Sequence, residues 1–204
     1  LGEGARTESD AARYLQSYAD AITEIGRHTS ETSVYSNNGI SVKLSALHPR
    51  YRYAQHQQVM DELLPRIKQL CLLAQEHHIG LSIDAEESYR LDISLDLFQA
   101  LAEDPDLKNW QGLGFVLQAY QKRAPDVARW LIALAEATQR KLMVRLVKGA
   151  YWDAEIKHAQ ELGLESYPVY TRKANTDLCY QHCAELLLDA DQLIYPQFAI
   201  HNAY

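Results

Sequence analysis

The chain is poor in residues that build covalent or metal scaffolds. Its three cysteines are Cys71, Cys179 and Cys183 among 204 residues. The number is odd and no pair has CxxC spacing, so neither a disulfide framework nor a zinc cluster is expected. Each falls in a helical pattern, and together they read as reduced thiols of the cytosol. No apolar run approaches the roughly 18–20 residues that a membrane span requires, and the N-terminus lacks the charged-then-apolar layout of a signal peptide. Positive charge is also short. Twenty Lys and Arg against 27 Asp and Glu give a net charge of -7, which argues against broad binding of nucleic acid or an anionic membrane by this segment. Methionine is rare and the chain opens on Leu1, so a piece of a longer protein is expected. Familiar catalytic signatures are missing too. Without GxGxxG or a Walker loop, a dinucleotide would not be held by a glycine-rich turn. HExxH is absent, and His77 and His78 fall at a helix end. Nothing resembles GxSxG or a cysteine–histidine nucleophile pairing.

What is present is ordinary for a globular chain: 47% hydrophobic and 23% charged residues,. Thr7 and Asp10 have capping-box spacing at the head of a helix over 7–27, along which Tyr14, Tyr18, Ala21 and Ile25 recur at helical intervals. A second helical pattern covers 57–78 through Val59, Leu63, Ile67, Leu70 and Ala74. Pro65 lies inside it and predicts a kink or a fresh start. Further helices are predicted over 92–103, from Pro125-Asp126 onward, from Asp153 to Leu162 and over 174–189.

Between them lie strand patterns. GISVKLSALHPRY sets Ile40, Val42 and Leu44 against Ser41, Lys43 and Ser45. IGLSIDAEES sets Leu81, Ile83 and Ala85 against Ser82, Asp84 and Glu86. GLGFVLQAY sets Phe115 and Leu117 against Val116, Gln118 and Tyr120. LMVRLVKGAYW follows, and YPQFAIHN closes the chain. Strand starts near Ile40, Leu81, Leu113, Leu142 and Pro196 are spaced by 41, 32, 29 and 54 residues. The middle values match the roughly 31 residues per unit of a (β/α)8 barrel. Alternating strand and helix also suits an open doubly wound sheet. Polar parity favours the barrel. Open parallel sheets read as continuous apolar runs, whereas Lys43, Asp84, Glu86, Gln118 and Arg145 recur on one face near the strand ends, where a barrel keeps its chemistry. Five strands are too few to close it.

The segment 142–152 organises the rest. Leu142, Val144 and Leu146 share one parity, and Met143, Arg145 and Val147 the other. An arginine amid aliphatic neighbours needs an anionic or electron-rich partner. Lys43, Asp84, Gln118 and Arg145, from four strands, would suit a small anionic or zwitterionic molecule; each taken alone also reads as an ion-pair member. Lys148 reads either as a Schiff-base nucleophile or as a solvated strand end. Gly149 permits close backbone approach. Tyr151 and Trp152 would lid a pocket or fill a core. Asp84, Glu86 and Glu87 offer carboxylates to a divalent metal, but no histidine is placed to join them, and no metal is expected.

The strings GISVKLSALHPRY, IGLSIDAEES, GFVLQAYQKR, LMVRLVKGAYWDAEIK, YPVYTRK and YPQFAIHN resemble, in the same order, the proline dehydrogenase domain of bacterial proline utilization A flavoenzymes. The likeness covers residues 1–204. It implies part of a distorted (β/α)8 barrel, roughly strands 2 to 6, which holds FAD without a glycine-rich motif. It also implies oxidation of L-proline to 1-pyrroline-5-carboxylate, the first step of proline breakdown to glutamate. Lys43 would hold the proline carboxylate and Glu3 would pair with that lysine. Asp84 would lie near substrate and flavin, Arg145 near the reactive N5, and Tyr151 over the proline ring. Gln118, Val147, Lys148, Gly149, Trp152, His201 and Asn202 would contact FAD. Ile200 stands where the family usually has threonine, which removes a hydroxyl. The resemblance further implies a cytoplasmic homo-oligomer touching the inner membrane peripherally, with membrane quinone as electron acceptor. A fused NAD-dependent pyrroline-5-carboxylate dehydrogenase domain would lie outside the chain, and so would the barrel's first and last two strands. The rival readings are a Schiff-base aldolase or lyase built on Lys148, and a barrel kept as a non-catalytic scaffold.

Overall fold

The structure, a computed structural model, describes residues 4–29, 31 and 33–199. Helices and strands alternate as α1 (Glu8–Arg27), β1 (Ile40–Val42), α2 (Leu44–Leu47), α3 (His56–Glu76), β2 (Leu81–Ile83) and α4 (Leu91–Glu103). Then follow β3 (Leu113–Gln118), α5 (Ala124–Thr138), β4 (Leu142–Val147), α6 (Trp152–Glu161), α7 (Lys173–Asp189) and β5 (Ile194–Phe198). The strands neighbour one another in chain order, β1-β2-β3-β4-β5, with β1–β2, β2–β3 and β4–β5 parallel. Unreversed order is the wall of a (β/α) barrel; a doubly wound sheet would reverse at a switch point. Among the described residues the wall does not close. The predicted strand starts hold at four positions, and β5 begins two residues earlier than expected, at Ile194.

Contacts divide the chain into two compact units, Leu1–Asp84 with Tyr89–Phe115, and Ala85–Ser88 with Val116–Tyr204. In the first, the Thr7 side chain accepts from Asp10 N–H, while the Asp10 carboxylate accepts from Thr7 N–H. This reciprocal pairing satisfies donors that a helix start otherwise leaves open. Tyr18 and Ile22 of α1 are buried with Leu63, Ile67 and Leu70 of α3. Phe98 and Phe115 meet at 5.1 Å between ring centroids, tilted by 58°. Each such fully buried side chain contributes about 1.5–3 kcal/mol.

Pro65 neither breaks α3 nor starts a new helix. It is exposed, while Leu63 and Ile67 beside it are fully buried, so burial on the opposite face outweighs the one lost hydrogen bond. One departure is β1. It stops at Val42, and residues 44–47 turn helical. Ser45 therefore does not continue the alternation predicted for this strand. The fully buried Leu44 and Leu47 reward a turn of helix more than a longer strand would.

In the second unit, α5 carries proline in its first turn, and β4 and β5 pair from Leu142↔Ile194 to Leu146↔Phe198. The three cysteines form no disulfide and are buried, Cys71 on α3 and Cys179 and Cys183 on α7. Replacing Thr7 by alanine should weaken the first turn of α1 by about 1 kcal/mol. Amide exchange at Asp10 should then accelerate about fivefold while α3 amides keep their protection; unchanged exchange at Asp10 would show the capping pair to be idle.

Candidate functional site

In the first unit, β1 and β2 run in register through Val42↔Ile83, so Lys43 and Asp84 leave adjacent strands at the same level. Asp84 N–H donates to Val42 C=O at 2.9 Å. Lys43 N–H donates to the hydroxyl of buried Tyr18 at 3.2 Å. Both side chains are half-buried. Parallel strands that stop together thus put a cation and a carboxylate just beyond their C-terminal ends. They follow the strands rather than alternate within them.

In the second unit, β4 keeps the predicted parity. Leu142, Val144 and Leu146 are fully buried and Arg145 and Val147 half-buried, although Met143 on their parity is buried too. Beyond β3 and β4 the ladder continues briefly, with Ala119 N–H on Val147 C=O at 2.8 Å and Tyr120 N–H on Lys148 C=O at 2.7 Å. Gln118 is 3% exposed, and its amide works at both ends. Nε2 donates to Glu86 C=O at 2.8 Å and Oε1 accepts from Ala150 N–H at 3.2 Å. One N–H and one lone pair of that amide remain for a ligand.

Gly149 has φ +139°, and a Cβ there would lie 2.4 Å from the Tyr120 ring. The close approach anticipated at this glycine is therefore made to an aromatic ring of the same unit. Burial first, then the nearby Glu155 carboxylate, push the Tyr120 phenol well above its ordinary range. Tyr151 caps α6 and is half-buried; Trp152 begins the helix, 43% exposed, with its indole N–H on Tyr170 C=O at 2.9 Å.

Lys148 is neither a solvated strand end nor an amine poised to attack. Its ammonium donates to Asp177 Oδ1 at 2.6 Å, and Lys173 holds the other oxygen at 2.6 Å. The hydrogen bond from Lys148, then that from Lys173, hold the Asp177 carboxyl below its ordinary value. A Schiff-base nucleophile must turn its amine toward a carbonyl carbon, whereas this nitrogen is directed at Asp177.

Sequence reasoning missed Glu155. It is 2% exposed, and its carboxylate accepts from Ser88 N–H at 2.5 Å and Ser88 Oγ at 2.6 Å. The available signal was an acidic residue four positions before buried Ala159, on the stripe that a surface helix keeps apolar,. The partner of Lys148 lies 29 residues away on another helix and gave no such signal. Glu3, His201 and Asn202, with Ile200, lie outside the described residues.

Comparison with known proteins gives concordant results. The family model for proline dehydrogenase matches residues 1–204. The bifunctional protein PutA of Escherichia coli (strain K12) is 58% identical over 204 residues, all of this chain and 16% of that protein. PutA of Rhizobium meliloti is 53% identical over 197 residues, 97% of this chain and again 16% of that protein. A solved mutant of PutA from Bradyrhizobium japonicum matches with TM-score 0.97 and 54% identity, covering 99% of this chain and 21% of that one. The chain thus spans 16% of the length of these curated relatives.

Two outcomes check the geometry. Gly149→Ala should cost about 2–5 kcal/mol, from backbone strain plus collision with Tyr120. Tyr120→Ala should recover part of that loss in the double variant; strictly additive losses in chemical unfolding would contradict the contact. For Asp177 the folded pKa is lowered from 3.8, so its contribution is present above that value and vanishes as pH falls through the lower one. Asp177→Asn should flatten the acid limb of stability below about pH 4 and leave the slope near pH 7 unchanged.

Proposed function

Because the chain belongs to the proline dehydrogenase family, we propose that the longer protein carrying it oxidises L-proline to 1-pyrroline-5-carboxylate with FAD as cofactor. The observation that carries this reading is Arg145, half-buried on the parity of β4 opposite that of fully buried Val144 and Leu146. A guanidinium stays charged throughout the accessible pH range, and at this place it is suited to the electron-rich edge of a flat redox ring.

The residues fit a flavin. Trp152 begins the helix after β4 and Phe198 ends β5, 43% and 42% exposed respectively. Aromatic surface of that kind gains from being covered by a ring system. When bound, FAD would supply the acceptor for the hydride, which carries the electron pair away from the substrate carbon. Arg145 offers fixed positive charge to the ring. Val147, Lys148 and Gly149 line it from the end of β4 and the turn that follows. Gln118 contributes its one remaining N–H and lone pair, its first duty being to brace Glu86 and Ala150. Trp152 presents its face, because its N–H is committed to Tyr170. His201 and Asn202 join this set by resemblance.

Substrate handling falls to Lys43, which holds the proline carboxylate, with Glu3 as the partner of its ammonium. Asp84 keeps a compensating negative charge near the amine, and Tyr151 covers the ring and excludes water. Such placement lowers the entropic cost of reaction without new covalent chemistry.

By resemblance, electrons would pass to membrane quinone through peripheral contact; no helix among the described residues is long and apolar enough to cross a membrane. The product would go to a fused NAD-dependent dehydrogenase domain, and the whole would be a homo-oligomer. The Schiff-base reading loses support because Lys148 is paired with Asp177.

The full-length protein should purify yellow, and anaerobic L-proline should bleach its flavin absorbance. Arg145→Met should slow that bleaching on the order of a hundredfold or release the flavin. A colourless full-length protein, or flavin indifferent to proline, would sink the proposal.

A further inference from the structure

Glu155 has no place in the chemistry above, yet it is a nearly fully buried carboxylate. Such a group survives burial only with strong partners. Here both oxygens are taken by one residue, Oε1 by Ser88 N–H and Oε2 by Ser88 Oγ–H. A carboxylate accepts at both atoms, whereas a glutamine would turn a donor toward one of two donors. The bonds join segments 67 positions apart in sequence. On the helix side, Glu155 N–H donates to Tyr151 C=O at 2.9 Å, so the same residue grips the backbone of Tyr151. On the other side, the Ala85–Ser88 segment is also braced by Gln118, through Glu86 C=O, to the turn at Ala150. Two buried side chains thus tie one short segment to the turn that carries Tyr151.

We propose that Glu155 is a positioning residue for substrate. Through Ser88 it fixes the first turn of α6, and so sets how well Tyr151 covers the ring of a cyclic amino acid. This rests on the reading of the chain as part of a proline oxidase. Neither Glu155 nor Ser88 is assigned a contact with substrate or cofactor.

The test uses the full-length, flavin-loaded protein with Glu155→Gln, Ser88→Ala and the double variant. Stopped-flow bleaching yields a limiting reduction rate and an apparent Kd for proline. Each single variant should raise the Kd about five- to tenfold with less than a twofold change in limiting rate. The double variant should be no worse than the poorer single, because both cut one connection. In flavin-free protein, amide exchange at Tyr151, Trp152 and Glu155 should accelerate together in all three. A purely structural role would lower thermal stability and leave Kd at the wild-type value, which overturns the proposal; so would multiplicative effects in the double variant. Ser88→Ala removes a single hydroxyl and keeps the test open if Glu155→Gln fails to fold. If wild-type flavin ignores proline, the functional reading fails by itself. The flavin-free exchange experiment then still decides whether Glu155 and Ser88 hold the Tyr151 turn.

Discussion

Backbone N–H and C=O groups that leave a parallel ladder must be paired again or remain solvated, since burying them unpaired is costly. Much of the site follows from how this chain meets that demand. After β1 the Lys43 N–H goes to the Tyr18 hydroxyl; after β2 the Asp84 N–H returns to the Val42 carbonyl. Past β2 and β4, the Glu86 carbonyl and the Ala150 N–H are both met by the one amide of Gln118 at the end of β3. The Ser88 N–H is met by Glu155. Residues that resemble ligand contacts in sequence are therefore partly scaffold, and their polarity is divided between holding the turns and facing a ligand.

This division explains which parts of the molecule were legible beforehand. Strand positions were readable because apolar runs in 81–83, 113–118 and 142–147 correspond to burial, but the alternation read into them shows only in the second half of β4, since β2 and β3 are buried at every position. The barrel-type order was readable from polar residues clustered at strand ends, though for a reason slightly different from the one given. Lys43, Asp84 and Glu86 sit just after their strands, where alternation no longer governs direction. The extension of β1 to Ser45 failed because a period of two over so few residues cannot be told from one helical turn. Pairings across long loops, Lys148 with Asp177 or Glu155 with Ser88, have no local pattern at all. They depend on two elements packing together. Glu155 alone left a trace, a charge on an apolar stripe.

Family membership adds the proposed redox cofactor and substrate to what the geometry of this chain carries. The geometry in turn constrains how individual residues serve. Gln118 has half its hydrogen-bonding capacity left, Trp152 has its face and not its N–H, and Lys148 comes with a counter-charge attached. Gly149 is required by Tyr120 as much as by any ligand.

The arrangement around Asp177 has an electrostatic consequence for the chain as a whole. One carboxylate is shared by two ammonium groups, Lys148 and Lys173, so the cluster keeps one elementary positive charge in a chain whose net charge is -7. At low ionic strength the surrounding field repels anions, while this spot draws them locally toward the turn after β4. Added salt shortens the Debye length to about 8 Å near physiological strength and erases the distant repulsion sooner than the nearby attraction. An anionic molecule bound beside Lys148 should therefore lose less to screening than the local positive charge alone suggests.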